Sequence, residues 1–440
     1  MTTPHSSLVA SRRSRAGRTA GAVRADNSGM TLGVATPSVP TIGINGFGRI
    51  GRALFRICLF RDDIRLVAIN HTASTLEHLL TAIRHDSTHG PLPNQAEVTI
   101  APADHPNMLP KTDKNPNPQA LLYRGRLIHL FSQRDPKNLD WSSAGAEYVM
   151  ESTGKMTLVA SASVHITEAN AKKVIISAPS KDAHNLVYGV NHRDYAGEDV
   201  VSNASCTTNC LAPLASVLDN AFGIESGMMT TIHASTASQK VLDGFSTKDL
   251  RSGRSAMGNI IPASTGAAQA VVRVLPQLAG KFQGISVRVP VTNVSLVDLT
   301  VKTTHPFNSK KELIQAFRDA ADTPVSRGGV RGVLSVSDEK LVSTDYLTSS
   351  LSSIIDEDAC VILDEFTAKI IAWYDNEFGF SNRMVDLVTY MHSHPDGEHP
   401  NVRRNSVSPV VTKSALPKVS KGANGLGLNG VHEVPEEAIV

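Results

Sequence analysis

The chain has 440 residues, more than one hydrophobic core holds once cores stop growing near roughly 250–300 residues, so two domains with flanking tails are predicted. Its 43 Lys and Arg nearly balance 41 Asp and Glu, leaving +2, and no basic run persists through the middle, so the footprint of a nucleic-acid partner is missing and a small-molecule substrate is indicated. Four cysteines supply neither a disulfide framework nor a Cys-x-x-Cys metal pair, and no run of about 18 apolar residues is present to span a membrane.

Residues 1–40 carry Arg12, Arg13, Arg15, Arg18 and Arg24 among Ser, Thr, Ala and Gly, with Asp26 the single acid. Such a segment suits a disordered extension or an organellar transit peptide, so the cytoplasm and the mitochondrion or another organelle both stay open as locations. The first strand signal is Thr41-Ile-Gly-Ile-Asn45, which stops in glycines and is followed by the helical pattern Ile50, Ala53, Leu54, Ile57, Cys58. Ile64–Asn70 reads as a second strand and Leu76–Ile83 as a second apolar helical face, which makes a βαβ opening and an α/β fold with a Rossmann-type, doubly wound parallel sheet. The proline-rich stretch 91–120 reads as a surface loop around a weak strand. Leu121–Tyr123 and Leu127–Phe131 read as a peripheral hairpin. Strands return at Glu147–Met150, Lys173–Ser177 and Val200–Asn203, giving six in the sheet and ending the dinucleotide-binding domain, 41–205.

From Thr230 the pattern changes. Thr230–His233, Ile285–Pro290 and Val294–Val301 alternate apolar with polar residues, which predicts an α+β second domain, 206–375, on an antiparallel sheet covered on one face. Ile370–Tyr374 is a further strand, a last amphipathic helix within 376–393 completes the first domain, and 395–440 is a Pro, Ser, Gly and Asn-rich tail of disordered composition.

Two segments carry chemistry on their own residues. Gly46-Phe-Gly-Arg-Ile-Gly51 is G-x-G-x-x-G between a strand and a helix, where glycines let the main chain approach a pyrophosphate and the helix start supplies free N–H groups. Where dinucleotide-binding folds place an Asp or Glu on the ribose hydroxyls, the second strand ends Asn70-His71-Thr72-Ala73-Ser74. With no carboxylate to repel a 2′-phosphate, NADP is accepted or preferred, dual use included, and strict use of NAD is the alternative. Ser205-Cys206-Thr207-Thr208-Asn209-Cys210 follows a strand and opens a helix with Ser205 as N-cap. The helix start and a nearby His are expected to lower the Cys206 thiol from about 8.5 to about 6.5, making it a reactive nucleophile, whereas Cys210, Cys58 and Cys360 read as inert core residues. His233, at the end of a strand, reads on its own as structural.

Gly43–Arg52, Tyr148–Gly154, Ser202–Pro213, Asn259–Gly266 and Trp373–Gly379 together resemble the phosphorylating glyceraldehyde-3-phosphate dehydrogenases, over residues 41 to about 393. The resemblance implies that Cys206 attacks the aldehyde, that His233 is the base during hydride transfer to the nicotinamide, and that inorganic phosphate releases the product as an acyl phosphate. It implies substrate-phosphate contacts at Thr236 and Arg288 and attacking-phosphate contacts at Ser205, Thr207, Thr265 and Gly266, with Arg251 or Arg254 as a helper. It also implies cofactor contacts at Asn45, Gly46, Phe47, Gly48, Arg49, Ile50 and Gly51 around the pyrophosphate. Arg134 and Ser152 through Gly154 would lie on the adenosine side, and Asn376 on the carboxamide. The loop 236–258 matches one that crosses a subunit interface, implying a homotetramer. Three residues depart from the family pattern: His71 stands for an Asp, Phe245 for Pro or Ser, and Gln269 for Lys. The alternatives are an erythrose-4-phosphate dehydrogenase, in which water replaces phosphate, and a non-catalytic binding protein on the same scaffold.

Overall fold

A computed structural model describes residues 39–247 and 249–398; the expectations for the transit-like extension and for nearly all of the C-terminal tail lie outside the described residues. The first sheet holds β1 (Thr41–Asn45), β2 (Arg65–Asn70), β3 (Val98–Ile100), β4 (Gln119–Tyr123), β5 (Arg126–Phe131), β6 (Tyr148–Glu151), β7 (Lys173–Ile176), β8 (His184–Asn185) and β9 (Val200–Ser202). Their spatial order is β3-β4-β5-β2-β1-β6-β7-β9-β8. The chain leaves β1 toward β2 on one side and returns to β6 on the other, so the switch point lies between β1 and β6, at the carboxyl ends Asn45 and Glu151. Ile42 and Ile44 are fully buried, as befits a central parallel strand covered on both faces. Helix α1 (Arg49–Leu59) buries Ile50, Ala53, Leu54, Ile57 and Cys58, the face read from its spacing, and α2 (Leu76–Arg84) starts at the cap Thr75, which accepts from the His78 amide. Two four-residue helices follow β6, α3 (Val159–Ala162) and α4 (Val164–Thr167).

One expectation is corrected here: the hairpin of β4 and β5 is not peripheral. β5 runs parallel to β2 with Ala68 against His129 and Asn70 against Phe131, so it extends the parallel sheet past the expected six strands and places its end beside the end of β2. Alternation in β5 buries Ile128 and Leu130 on one face and Phe131 on the other, and such two-sided burial suits an interior strand.

Helix α5 (Cys206–Phe222) leads into the second sheet, made of β10 (Ile224–His233), β11 (Ile261–Ala263), β12 (Phe282–Arg288), β13 (Ser295–Thr303), β14 (Leu334–Ser337), β15 (Ser353–Asp356), β16 (Val361–Ile362) and β17 (Thr367–Tyr374). The sheet is mixed. The antiparallel ladders β10/β13 and β13/β17 form its centre, while β12 runs parallel to β10 and β14 parallel to β15. Its buried face packs on α5, α6 (Ala267–Val274) and α7 (Lys310–Asp322) through Leu211, Leu218, Val271, Leu299 and Phe317. Helix α8 (Phe378–Ser393) then returns to α1, its Met384, Val385 and Val388 joining the core of the first sheet. No helix among the described residues is long and apolar enough to cross a membrane.

Candidate active site

Cys206 is the first residue of α5, delivered by a tight turn from β9. Ala204 lies in the left-handed region (φ 55°), which costs a residue with a Cβ roughly 1 kcal/mol. The Ser202 hydroxyl accepts from the Ala204 amide (3.0 Å), and the Asn209 amide group donates to the carbonyls of Asn203 (2.7 Å) and Ser205 (3.0 Å). Ser205 caps the helix by accepting from the Thr208 amide at 3.1 Å. The Cys206 sulfur then faces His233 Nε2 at 3.5 Å.

His233 ends β10 beside the end of β12, where the parallel register sets it against Arg288. Its Nδ1 lies 2.7 Å from the Ala234 carbonyl and 2.5 Å from an Arg288 guanidinium nitrogen. These contacts favour opposite tautomers: donation from Nδ1 to Ala234 leaves Nε2 free to take a proton from the thiol, whereas donation from Arg288 leaves Nε2–H facing a thiolate. Burial and then the Arg288 charge push the imidazole down to about 3, so His233 is neutral at pH 7 and available as a base. The expectation of a lowered thiol is corrected. Burial dominates and pushes Cys206 above its ordinary value, while the Arg288 charge and bonds from Thr207 pull it back in part. The Tyr374 ring meets His233 edge-on (6.0 Å between centres), and its hydroxyl bonds Thr207 at 2.8 Å and Thr231 at 2.9 Å, sealing the floor of the site.

The residues expected to hold phosphates divide. Arg288 is brought to the Cys206–His233 pair, with Thr236 three residues beyond His233 and its hydroxyl partly exposed beside Ser238 (3.0 Å). Thr265 accepts from the Ala267 amide (3.1 Å) at the start of α6, whose N-cap is Gly266. Ser205 and Thr207 are different. Both are buried, Ser205 holding its hydroxyl between the Thr208 amide and hydroxyl and Thr207 holding its own against Tyr374. α5 also offers an anion its first-turn main chain, since no main-chain acceptor among the described residues takes the amides of Cys206 or Thr207. Arg254 pairs with Asp243 (3.0 Å), whereas Arg251 has no side-chain partner among the described residues.

A dinucleotide fits the crevice at the switch point. Gly46 has φ +92°, and a Cβ on Gly51 would stand 2.0 Å from the Gly46 carbonyl, so both positions require glycine. A Cβ on Gly48 would meet nothing within 4 Å, and the amides of Arg49, Ile50 and Gly51 have no acceptor among the described residues, which leaves an open cradle of donors at the start of α1. Phe47 leans on this helix, its ring edge-on to Phe55. The Arg49 side chain turns away from the cradle to Asp86 and Glu377, so Arg49 serves it through its main chain. Asn70 locks the adenosine side by donating to the Gln133 carbonyl (2.8 Å) and accepting from the Gln133 amide (2.9 Å), which fixes Arg134, exposed and unpaired among the described residues, just beyond. His71 is buried, its Nδ1 accepting from the Ala73 amide (3.1 Å), and burial lowers its proton affinity, so it is a neutral ring with Nε2–H left to donate. The Ser152 amide donates to the Asn45 carbonyl (2.8 Å), joining the ends of β1 and β6. Beside Asn376, which the resemblance places toward the nicotinamide, Ser295 links the ends of β10 and β17: its hydroxyl accepts from the Ala234 amide (2.9 Å) and donates to Asn376 Oδ1 (3.2 Å).

Sequence reasoning missed Glu151, Tyr374 and Ser295 as residues of the site. Glu151, 1% exposed, accepts from Asn45 Nδ2 (2.6 Å), the Thr153 amide (2.8 Å) and the Thr153 hydroxyl, and bonds His165 Nε2 (2.9 Å), so one buried carboxylate ties the ends of β1 and β6 to α4. Trp141 donates to the other nitrogen of His165 at 3.1 Å, which orients the ring for Glu151. Tyr374 and Ser295 face each other in the β13/β17 register. A carboxylate inside the apolar strand YVME was the available signal for Glu151; the other two depend on cross-strand pairing that sequence spacing does not encode.

Comparison with known proteins bears on what this arrangement is. The family model described as the NAD binding domain of glyceraldehyde 3-phosphate dehydrogenase matches residues 40–159, and that for the C-terminal domain matches 205–376. The glyceraldehyde-3-phosphate dehydrogenase of Ogataea parapolymorpha is 47% identical over 351 residues, covering 80% of this chain and 97% of the relative. The cytosolic enzyme of that name from Chlamydomonas reinhardtii is 46% identical (80% and 96%), and the one from Haemophilus influenzae 47% (80% and 98%).

Proposed function

Since the chain belongs to the glyceraldehyde-3-phosphate dehydrogenase family and is an NAD(P)-dependent oxidoreductase acting on an aldehyde, we propose that it oxidises D-glyceraldehyde 3-phosphate to 1,3-bisphosphoglycerate through a thioester on Cys206. The observation that carries this reading is the thiol at the start of α5 facing His233 Nε2 at 3.5 Å. His233 removes the thiol proton as the sulfur attacks the carbonyl carbon, and the first-turn amides of α5 stabilise the developing oxyanion. His233 returns this proton to the oxyanion, which completes the neutral hemithioacetal, and then takes the hydroxyl proton as hydride leaves the carbon. The bound nicotinamide supplies the hydride acceptor, and Asn376, whose Oδ1 is held by Ser295, orients its carboxamide. Inorganic phosphate attacks the thioester carbon, Cys206 leaves, and the acyl phosphate departs. Thr236 and Arg288 hold the substrate phosphate; Ser205, Thr207, Thr265, Gly266 and the α5 amides hold the attacking one. The dinucleotide-binding part is 41–205 completed by α8, and the catalytic part is 206–375.

Three finer readings belong to the same proposal. NADP is used at least as well as NAD, because the end of β2 offers neutral His71 in place of a carboxylate and Arg134 stands unpaired beyond β5. The functional unit is a homotetramer, supported by the apolar side chains that the loop after β10 exposes. The four free thiols suit a reducing compartment such as the cytoplasm.

Initial rates of the full chain with glyceraldehyde 3-phosphate and either NAD or NADP, with and without inorganic phosphate, test the reading. Phosphate-dependent NADPH formation as efficient as NADH formation is expected. Rates independent of phosphate would favour the hydrolytic reaction of an erythrose-4-phosphate dehydrogenase, and turnover with NAD alone would remove the cofactor reading while keeping the reaction.

A further inference from the structure

The dinucleotide crevice lies at the carboxyl ends of β2 and β5. At the opposite ends of the same two strands a cleft of about 520 Å³ opens, lined by Arg65, Arg126, His129, Asn107, Ile64 and Leu127. Its volume falls in the roughly 300–1,000 Å³ range of small-molecule sites. β2 and β5 pair in register from Ala68 against His129 to Asn70 against Phe131, and toward their starts that ladder stops and the cleft takes its place, with Arg65 and Arg126, the first residue of each strand, both in its lining. Two like charges lining one cleft repel.

Neighbouring arginines have this repulsion relieved by carboxylates. Arg61 bonds Asp63 and Asp386, and Arg124 bonds Glu97. Arg65 and Arg126 have no such partner among the described residues. Asp62, the carboxylate that also lines the cleft, forms no ion pair with either. His129 also lines the cleft, and its Nδ1 is buried with no hydrogen-bond partner among the described residues, which costs free energy unless a further group satisfies it. Asn107 comes from the proline-rich loop between β3 and β4, so this loop builds one wall of the cleft.

We propose that this cleft binds a small phosphorylated metabolite, its phosphate held by the guanidiniums of Arg65 and Arg126 and its less polar part resting on Ile64 and Leu127 beside His129. Guanidinium forks match phosphate oxygens bidentately, and two forks on neighbouring strands suit a doubly charged group. The site is separate from the reaction at Cys206, being built from the strand ends remote from Asn70 and Gln133.

Equilibrium dialysis of labelled inorganic pyrophosphate against the full chain saturated with NAD tests it, comparing wild type with an Arg65→Gln/Arg126→Gln variant. Wild type is expected to bind one more pyrophosphate per chain than the double variant. Each single Arg→Gln change should weaken that binding at least about tenfold, with kcat and KM for glyceraldehyde 3-phosphate unchanged. Asn107→Ala, on the opposite wall, should weaken it to a smaller extent. Equal binding by wild type and double variant overturns the proposal, and so does a loss of pyrophosphate binding accompanied by a loss of turnover, because the anion lost would then belong to the catalytic region.

Discussion

Cys206 feels burial and charge in opposite directions, and Arg288 is where the two can be separated. Its guanidinium lowers both the thiol and the imidazole, so replacing it acts on both members of the pair with the same sign. In an Arg288→Gln protein the thiol should ionise at higher pH than in wild type, and His233 should protonate at higher pH. The pH profile of iodoacetamide inactivation without cofactor would show it: the rise in rate moves to higher pH, and an unmoved or lowered midpoint contradicts the assigned role. The base is tested separately. His233→Asn should slow single-turnover acylation by about 10²–10⁴, with near-normal acylation the contrary result. Cys206 was legible because a capped helix start is written locally as Ser205-Cys206. The sign of its shift was not, because the residues that bury it, Tyr374 above all, arrive from a strand more than 160 positions away.

Elements are joined across this site by a cluster that no local pattern announces. Arg49, on the first turn of α1, bonds Asp86 after α2 and Glu377 before α8, and Glu377 also meets His89 (2.9 Å). Asp375 caps the same segment by accepting from the amides of Glu377 (2.9 Å) and Phe378 (2.7 Å), so the start of α1 and the residues flanking Asn376 are held as one piece. Burial alone would raise the Asp86 carboxyl. The Arg49 bonds and the amides of His89 and Thr88 override it and hold the group well below the ordinary carboxylate range. A folded value below the unfolded one means that the stabilisation is complete above about pH 4 and is lost as pH falls through the folded value. Asp86→Asn should therefore lower stability at pH 7 by about 2 kcal/mol, and the gap from wild type should close as the pH is taken from 5 toward 2. Denaturant unfolding at four or five pH values measures this, and a gap that widens in acid would refute it. Strand and helix positions themselves were largely legible, since β1, α1 and β2 follow their periodicity. The place of β5 was not, because a hairpin signal reports the turn between β4 and β5 and is silent about the neighbour that β5 takes on its far side.

At the scale of the molecule, the remaining tension is an apolar surface on an otherwise well-sorted chain. Within and just after the loop that follows β10, Leu242 is 78% exposed, Leu250 90% and Phe245 fully so, with Met257 and Ile260 alongside. Scattered apolar residues on a surface need no explanation, but a run of large ones within twenty residues is unusual for a monomer and marks an interface. A second copy is the natural occupant, because identical chains bring matching apolar patches together by symmetry. Wild type is accordingly expected to elute at four times the chain mass. Leu242→Asp with Phe245→Asp should shift it to smaller species at micromolar concentration, since desolvating two carboxylates in an apolar contact costs more than the contact returns. Light scattering with size-exclusion chromatography reads the mass, and far-UV circular dichroism should stay unchanged because neither side chain belongs to a core of the described chain. A wild type that runs as a single chain would leave the apolar loop without this explanation. A tetramer indifferent to both charges would place the subunit contact elsewhere, for instance on the second sheet, where Met228 and Ile285 also expose large apolar side chains.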